Sequence, residues 1–121
     1  MRIAIIEDES LVALGIQGLL EDCGHTVVAM ATRGATASEL ILDQKPDIVI
    51  LDINLKGDGL DGIDVCRLTT EMTSAKVIIV TAYSDEETVK RAMEAGAVKV
   101  LTKPVTDHNL IATIESIRET L

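Results

Sequence analysis

Residues 47–52 read D-I-V-I-L-D, an aliphatic run that Asp52 closes on its carboxyl side. Three further apolar runs also end in residues suited to phosphate chemistry. They are R-I-A-I-I before Glu7-Asp8-Glu9, K-V-I-I-V before Thr81-Ala82, and V-K-V-L-T before Lys103-Pro104. Short β-branched runs that alternate with helical patterns are typical of a parallel sheet buried on both faces. The ligand site of such a sheet lies beyond the carboxyl ends of its strands, so we predict one shared crevice for these residues.

The order of the patterns predicts five strand–helix units in a single α/β domain that spans residues 1–121. The predicted strands cover residues 2–6, 25–30, 47–51, 76–80 and 98–101. The first three predicted helices cover residues 10–22, 35–43 and 62–72. The fourth opens with a capping box at Ser84 and stops at Gly96, and the fifth runs from Thr106 to the end. Because the sequence stops with that helix, we expect no output domain in this chain.

The composition favours a packed aliphatic core. Hydrophobic residues make up 47% of the 121 residues, and Tyr83 is the only aromatic one. The formal net charge of -9, from 11 basic and 20 acidic residues, argues against direct binding to nucleic acid or an anionic membrane. We see no signal peptide and no transmembrane pattern, and expect a cytoplasmic protein.

A few single residues carry weaker expectations. Cys23 and Cys66 form no CxxC pair and are expected to be buried free thiols in a reducing compartment. His25 and His108 are expected to face solvent or to cap helices. One apolar stripe is predicted on each of the first and last helices. These stripes are Val12, Ile16, Leu19 and Cys23, and Leu110, Ile114, Ile117 and Leu121.

An acidic cluster is predicted in the crevice, where Glu7, Asp8 and Asp52 would lie close together. Carboxylates at such short separation need a cation to stay ionised. The pattern offers only oxygen ligands, which favours a hard cation and above all Mg²⁺. Because Mg²⁺ prefers few carboxylates, several waters and a substrate phosphate, the cluster indicates a phosphoryl-transfer site. The alternative is a set of surface or helix-capping acids, as acids are favoured ahead of a helix.

Asp52 is the candidate nucleophile, because a carboxylate can accept a phosphoryl group as an aspartyl phosphate. The transferred group is metaphosphate-like, so catalysis requires positioning and neutralisation of charge. Lys103 would contribute positive charge, and the Thr81 hydroxyl would bond a phosphoryl oxygen. Taken singly, Lys103 is equally a solvated surface lysine and Thr81 an ordinary residue at a strand end. Because both residues are predicted to lie beside the three acids, the catalytic interpretation is favoured.

The ordered set I-I-E-D-E, V-I-L-D-I-N, V-I-V-T-A-Y and L-T-K-P resembles the receiver domain of two-component response regulators across the whole chain. The resemblance implies a flavodoxin-like, doubly wound (βα)5 fold with a five-stranded parallel sheet in the order 2-1-3-4-5. It implies that Asp52 is the phosphoacceptor. It also implies a magnesium site with Asp8 as a direct ligand, Glu7 as a ligand through water and the Asn54 backbone carbonyl as a further ligand.

The resemblance further implies that Thr81 is the switching hydroxyl and Lys103 the phosphate partner, with a cis peptide bond before Pro104. One loop and two positions depart from the family pattern. The glycine-rich loop after Asp52, residues 55–62, lacks the common proline and is longer than the commonest form. Val100 and Val105 stand where receivers commonly carry aromatic residues. The phosphorylation chemistry does not depend on these two side chains, whereas the usual route of signal propagation does.

The function implied is a phosphorylation-dependent signalling switch of a two-component phosphorelay. A histidine kinase or phosphotransfer protein would supply the phosphoryl group, and the domain would catalyse only its own phosphorylation and dephosphorylation. The output partner would be a downstream effector protein or a fused output domain, and phosphorylation-dependent dimerisation is expected. One alternative is a phosphate-independent, receiver-like interaction module. A flavodoxin-like cofactor binder is disfavoured, since the chain has almost no aromatic residue to stack on a flavin ring.

Overall fold

The structure, a computed structural model, describes residues 1–54, 61–82 and 85–121. The sole aromatic residue, Tyr83, lies outside the described residues. So do Ser84, which was predicted to cap a helix, and the glycine-rich loop over residues 55–60.

Within the described ranges, five parallel strands pair in the order β2-β1-β3-β4-β5. They are β1 (Arg2–Ile6), β2 (Thr26–Ala31), β3 (Ile48–Asp52), β4 (Lys76–Thr81) and β5 (Lys99–Thr102). The predicted fold and strand order are confirmed. Apart from β1, each strand ends one residue later than predicted, so Asp52 and Thr81 are the last residues of their own strands. Both take part in the sheet, where Asp52 pairs with Val80 and Thr81 with Thr102.

The described residues form five helices, which follow the strands in alternation. They are α1 (Ser10–Asp22), α2 (Gly34–Gln44), α3 (Gly62–Met72), α4 (Glu86–Glu94) and α5 (Asp107–Arg118). The predicted start of α4 is corrected. Asp85 is its N-cap, and the Asp85 carboxylate accepts a hydrogen bond from the backbone N of Thr88 at 3.1 Å. The last helix ends at Arg118, short of the predicted end.

Side chains alternate along the strands and so build a core on each face of the sheet. On one face, Ile3, Ile50 and Ile78 are buried beneath α1 and α5. On the other, Ala4, Val49 and Ile79 are buried beneath α2, α3 and α4. This burial on both faces explains why the strands read as nearly continuous apolar runs.

Two expectations about individual residues are corrected, those for Cys23 and His25, and one, for Cys66, is confirmed. Cys23 follows the last turn of α1 and is exposed, whereas Cys66 is buried in α3 as predicted, and burial raises the pKa of its thiol to about 11. His25 is buried rather than solvent-facing. Its Nδ1 lies 3.1 Å from the Met1 amine and its Nε2 lies 3.7 Å from Glu115 of α5. Burial lowers the pKa of His25.

The predicted apolar stripe of α1 is partly wrong. Val12 is 39% exposed and Cys23 is exposed, while Ala13 and Leu20 are the buried residues of this helix. In α5, Leu110, Ile114 and Ile117 are buried as predicted, but Leu121 lies beyond the helix and is 62% exposed. No helix in the described part of the chain has the length and apolar character needed to span a membrane.

Candidate functional site

The carboxyl ends of β1, β3, β4 and β5 bring the predicted site residues to one edge of the sheet. Two backbone hydrogen bonds extend the sheet just past its regular strands. The backbone N of Glu7 donates to Ala31 at 3.0 Å, and the backbone N of Lys103 donates to Thr81 at 2.8 Å. Glu7 and Lys103 are therefore held by main-chain bonds, and their side chains start from well-defined positions.

Three carboxylates meet at this edge, as the sequence predicts. Glu7, Asp8 and Asp52 each offer one oxygen, and these oxygens all lie within 4.8 Å of one another. Glu7 is 3% exposed and Asp52 is 5% exposed, while Asp8 is half-buried. A set of ligands that consists of oxygens alone suits a hard divalent cation. The cluster therefore has the composition and the spacing to hold a metal ion.

Lys103 brings the opposing charge into the same cluster. Its Nζ donates to Glu7 Oε1 at 2.8 Å and to Asp52 Oδ2 at 3.1 Å. Partial burial acts against the ammonium charge, but the bonds to these two carboxylates outweigh it and raise the pKa of Lys103. The lysine therefore stays charged and links the ends of β1, β3 and β5.

The pKa values of the two buried carboxyl groups, Glu7 and Asp52, are shifted in opposite directions. Burial, together with the neighbouring Asp52, raises the pKa of Glu7 to about 7. Burial also opposes ionisation of Asp52, but hydrogen bonds from Glu7, from the Asn54 backbone and from Asp8 and Lys103 outweigh it and lower the pKa of Asp52. At neutral pH, Asp52 is consequently ionised, whereas Glu7 carries a proton in a substantial fraction of the molecules.

One carboxylate oxygen of this cluster accepts no hydrogen bond from the part of the chain that the structure describes. Among the described residues, Glu7 Oε2 is buried without a hydrogen-bond partner. A buried acceptor left unpaired destabilises a protein by roughly 1–3 kcal/mol, and by more when it is charged. A cation beside Glu7 and Asp52 removes that penalty, so the residues present fit Mg²⁺.

The remaining predicted residues lie at the same edge of the sheet, at or just beyond the ends of β3, β4 and β5. The backbone N of Asn54 donates to Asp52 Oδ1 at 3.0 Å, which helps to orient the carboxylate. The predicted role of the Asn54 carbonyl as a metal ligand stays a prediction. Thr81 is completely buried at the end of β4. The peptide bond between Lys103 and Pro104 is cis, as the resemblance implies.

Sequence reasoning missed how α3 is joined to the end of β3. A Cβ on Gly62 would lie 2.5 Å from the Asp52 carbonyl oxygen and 2.5 Å from Ile53 Cα, so only glycine fits at this contact. The backbone N of Gly62 also donates to the Ile53 carbonyl at 3.1 Å. At the start of α3, Asp61 and Asp64 form a capping box with hydrogen bonds of 2.9 and 3.2 Å. The spacing D-x-x-D was the available signal, with Asp in the place of the usual Glu or Gln.

With this geometry established, the family of the chain is clear. The model of the response regulator receiver domain family matches residues 3–115. The chain belongs to this family. It is thus a receiver domain of two-component signalling, and the predicted family is confirmed.

Curated relatives carry this receiver domain as part of a longer protein. Transcriptional regulatory protein PdtaR of Mycobacterium tuberculosis is 36% identical over 114 residues, which cover 94% of this chain and 55% of the relative. Protein-glutamate methylesterase/protein-glutamine glutaminase 3 of Geobacter sulfurreducens is 33% identical over 122 residues, which cover 100% of this chain and 32% of the relative. The chain therefore spans about half of the first relative and about a third of the second.

Solved structures share the fold. The signal receiver domain of the putative response regulator NarL from Mycobacterium tuberculosis superposes with a TM-score of 0.89 at 27% identity, over 98% of this chain and 95% of that chain. A CheY-like receiver domain protein from Methanospirillum hungatei gives a TM-score of 0.90 at 22% identity, over 98% of this chain and 94% of that chain. The second likeness bears on the fold alone.

Proposed function

We propose that this receiver domain is a phosphorylation-dependent switch whose phosphoacceptor is Asp52. The observation that carries the proposal is the setting of the Asp52 carboxylate. It is buried, it has a lowered pKa, and it lies 3.1 Å from the Lys103 ammonium within the acidic cluster. Transfer forms a bond between an Asp52 oxygen and phosphorus, while the bond between phosphorus and a histidine nitrogen of the donor breaks. The donor nitrogen leaves with the electron pair of that bond.

The residues around Asp52 supply positioning and charge, which phosphoryl transfer chiefly requires. Lys103 already bonds to two carboxylates, and its ammonium would pair with a phosphoryl oxygen once the group is attached. The Thr81 hydroxyl would bond a second phosphoryl oxygen. A hydrogen bond to an ionised acceptor is about twice as strong as a neutral one, so phosphorylation would favour a state in which Thr81 makes this bond. That change would then alter the output surface of the domain.

The metal of this site would be Mg²⁺, held by Glu7, Asp8 and Asp52 together with the Asn54 carbonyl. When bound, Mg²⁺ neutralises the negative charge of the phosphoryl oxygens. The support is the raised pKa of Glu7 and its buried Oε2, which has no donor within residues 1–54, 61–82 and 85–121. Because a nearby divalent cation favours the ionised form of a carboxyl group, Glu7, which the family resemblance makes a ligand through water, would give up the proton that it retains near neutral pH.

The test is the intact mass of the protein after incubation with acetyl phosphate and Mg²⁺. We expect one added phosphoryl group in the unmodified chain and none in Asp52→Asn. The matched control is Asp22→Asn, which changes an exposed acid at the end of α1 and should label normally. Undiminished labelling of Asp52→Asn would sink the assignment. No labelling of the unmodified chain would favour the phosphate-independent interaction module.

Partners follow from the family and from the lengths of the relatives. The phosphoryl donor would be a histidine kinase or phosphotransfer protein, and the output would pass to an effector protein or a fused output domain. The support is that curated relatives are transcriptional regulators and a methylesterase, each longer than this chain. Dimerisation on phosphorylation is tested by sedimentation velocity with and without acetyl phosphate. An unchanged sedimentation coefficient at full phosphorylation would contradict dimerisation.

A further inference from the structure

A cleft of about 520 Å³ opens between α1 and α5, next to the phosphoacceptor. Its walls are mainly aliphatic. They are formed by Val12, Ile16, Leu19, Val80, Val105 and Leu110. Sites for small molecules are typically clefts of about 300–1,000 Å³ with largely apolar walls and a few polar groups at defined positions. The cleft therefore has both the size and the lining of a ligand site.

Two residues of the lining, Gly15 and Val105, contribute little side-chain volume to the cleft. Gly15 of α1 forms part of the wall, and a Cβ built there would meet no atom within 4 Å. Val105 projects only a short branched side chain from the loop before α5. One consequence is that Val12, part of the wall, remains 39% exposed to water. Covering such apolar surface is favourable, at roughly 25 cal/mol per Å².

The charges at the cleft favour a positive ligand. Glu9 and Asp107 belong to the lining and are both exposed. Lys103 is the only basic residue among the described lining residues, and it already donates to Glu7 and Asp52. Glu9 and Asp107 are thus left without a cationic partner among the described residues. An anionic ligand would be repelled, whereas a cationic group would be attracted.

We propose that the α1–α5 cleft binds an apolar molecule that carries one cationic head group, of the arylalkyl amine class. The apolar body lies against Val12, Ile16 and Leu110, and the head group lies at Glu9 and Asp107. The cleft adjoins the proposed phosphoryl-transfer site, since Glu7, Asp52 and Lys103 also belong to its lining, but binding of the amine requires neither Mg²⁺ nor phosphate. Failure of Asp52 to label would leave it unaffected.

The first experiment uses three probes with the same body and different head groups: 4-phenylbutylamine, 4-phenylbutanol and 4-phenylbutyrate. Affinities come from amide chemical-shift titrations of the metal-free protein. We expect the amine to bind about fivefold more tightly than the alcohol, which corresponds to about 1 kcal/mol for an exposed charge pair. The carboxylate should bind most weakly, and the shifts should map to α1 and α5. Equal affinities, the reverse order, or no binding by any probe would overturn the proposal.

The second experiment fills the cleft. Gly15→Met places a side chain into the open space, while Gly18→Met changes the same helix at a glycine that does not line the cleft. Both variants replace a helical glycine and should raise helix stability equally. We expect Gly15→Met to weaken binding of the amine at least about tenfold and Gly18→Met to leave it unchanged, because a filled cavity excludes a ligand by steric overlap. The same affinity in both variants would refute the assigned site.

The third experiment tests the head group. Glu9→Gln combined with Asp107→Asn should reduce the affinity for the amine to that for the alcohol, while the affinity for the alcohol stays the same. Glu21→Gln, an exposed acid elsewhere on α1, is the matched control. A preference for the amine that survives the double substitution would show that the charge argument is wrong.

Discussion

At the amino-terminal end of the sheet, Arg2 and Asp47 bond to each other, whereas at the carboxyl-terminal end two buried carboxylates, Glu7 and Asp52, share one ammonium. The backbone N of Arg2 donates to Asp47 Oδ2 at 2.9 Å, and the backbone N of Asp47 donates to the Arg2 carbonyl at 2.8 Å. The guanidinium of Arg2 also donates to the Gln44 carbonyl at 2.6 Å. At the other end, Lys103 serves both Glu7 and Asp52, and Glu7 Oε2 has no donor among the described residues.

The comparison indicates that the acids at the carboxyl-terminal end lower the free energy of unfolding of the empty site, whereas Asp47 at the amino-terminal end raises it. Like charges held close together destabilise the empty site, and a bound cation or a transferred phosphoryl group would use that arrangement. At the opposite end, the bonds of Arg2 and Asp47 hold β1, α2 and β3 together. Substitutions of acids at the two ends should therefore change the free energy of unfolding with opposite signs.

The largest expected effect is a gain in stability from Glu7→Gln at high pH without metal. The pKa of Glu7 is about 7 in the folded state against 4.5 as the reference, so the folded state binds more protons between these values. The free energy of unfolding of the unmodified chain therefore falls as the pH rises through that window. Gln does not titrate, so the stability advantage of Glu7→Gln should grow by about 2 kcal/mol from pH 5 to pH 8.

Urea denaturation of both proteins at the two pH values measures this change. His25 contributes in the opposite direction, because its lowered pKa makes the fold more stable as the pH rises through its ordinary value. That contribution is the same in both proteins and cancels in the difference. Parallel pH curves for the two proteins would contradict the raised pKa of Glu7.

A loss of stability of similar size is expected from Lys103→Met. Removing the ammonium leaves two buried carboxylates without their cation, which destabilises strongly when the pair is fully buried. The Lys103 side chain is 25% exposed, so we expect a loss of only about 2 kcal/mol at pH 8. The loss should be smaller at pH 5, where Glu7 keeps its proton. Lys99→Met, which changes an exposed lysine of β5, serves as the control. An equal loss of stability in Lys99→Met would show that the bonds of Lys103 to Glu7 and Asp52 do not stabilise the fold.

A smaller effect concerns the metal. At about ten times its dissociation constant, Mg²⁺ should raise the free energy of unfolding of the unmodified chain by about 1.4 kcal/mol. Asp8→Ala should lose most of this gain, because it removes one of the three clustered carboxylates. Asp22→Ala should keep it. The measurement is thermal unfolding across a magnesium titration, and a full gain in Asp8→Ala would exclude Asp8 as a ligand.

The smallest expected effect lies at the amino-terminal end. Asp47→Ala removes the acceptor for the backbone N of Arg2 and should destabilise the protein by about 1 kcal/mol. In contrast to Glu7→Gln, the change should be the same with and without Mg²⁺. Urea denaturation measures it, with the exposed Glu39→Ala of α2 as the control. If Asp47→Ala stabilised the protein, the predicted difference in sign between substitutions at the two ends of the sheet would be wrong.

The sequence predicted most of the fold, because the strands are buried on both faces and so appear as apolar runs. It placed strand ends one residue early, since Asp52 and Thr81 are polar yet continue the sheet pairing. The meeting of Glu7, Asp8, Asp52 and Lys103 was predictable because the carboxyl ends of parallel strands share one edge. The roles of these residues in phosphoryl transfer stay predictions.

What the sequence did not predict depends on how elements pack against each other. His25 is buried because α5 and the start of β1 cover it, and no local pattern of residues reports that contact. Helical periodicity gives the direction of a side chain but not the distance to the next helix. The cleft between α1 and α5, and the exposure of Val12 beside it, were therefore not predictable from the stripe on α1.

The close contact between Gly62 and Ile53 has a consequence for how the domain can vary. The chain leaves β3 at Ile53 and is bonded to the same point again at Gly62, so the segment between them is tied at both ends. The entropy lost on closing such a loop grows only with the logarithm of its length, by about 0.6 kcal/mol for each doubling. A change in the length of this segment should therefore alter the free energy of unfolding by less than about 1 kcal/mol, provided that Asn54, which bonds Asp52, and Asp61, which caps α3, are kept.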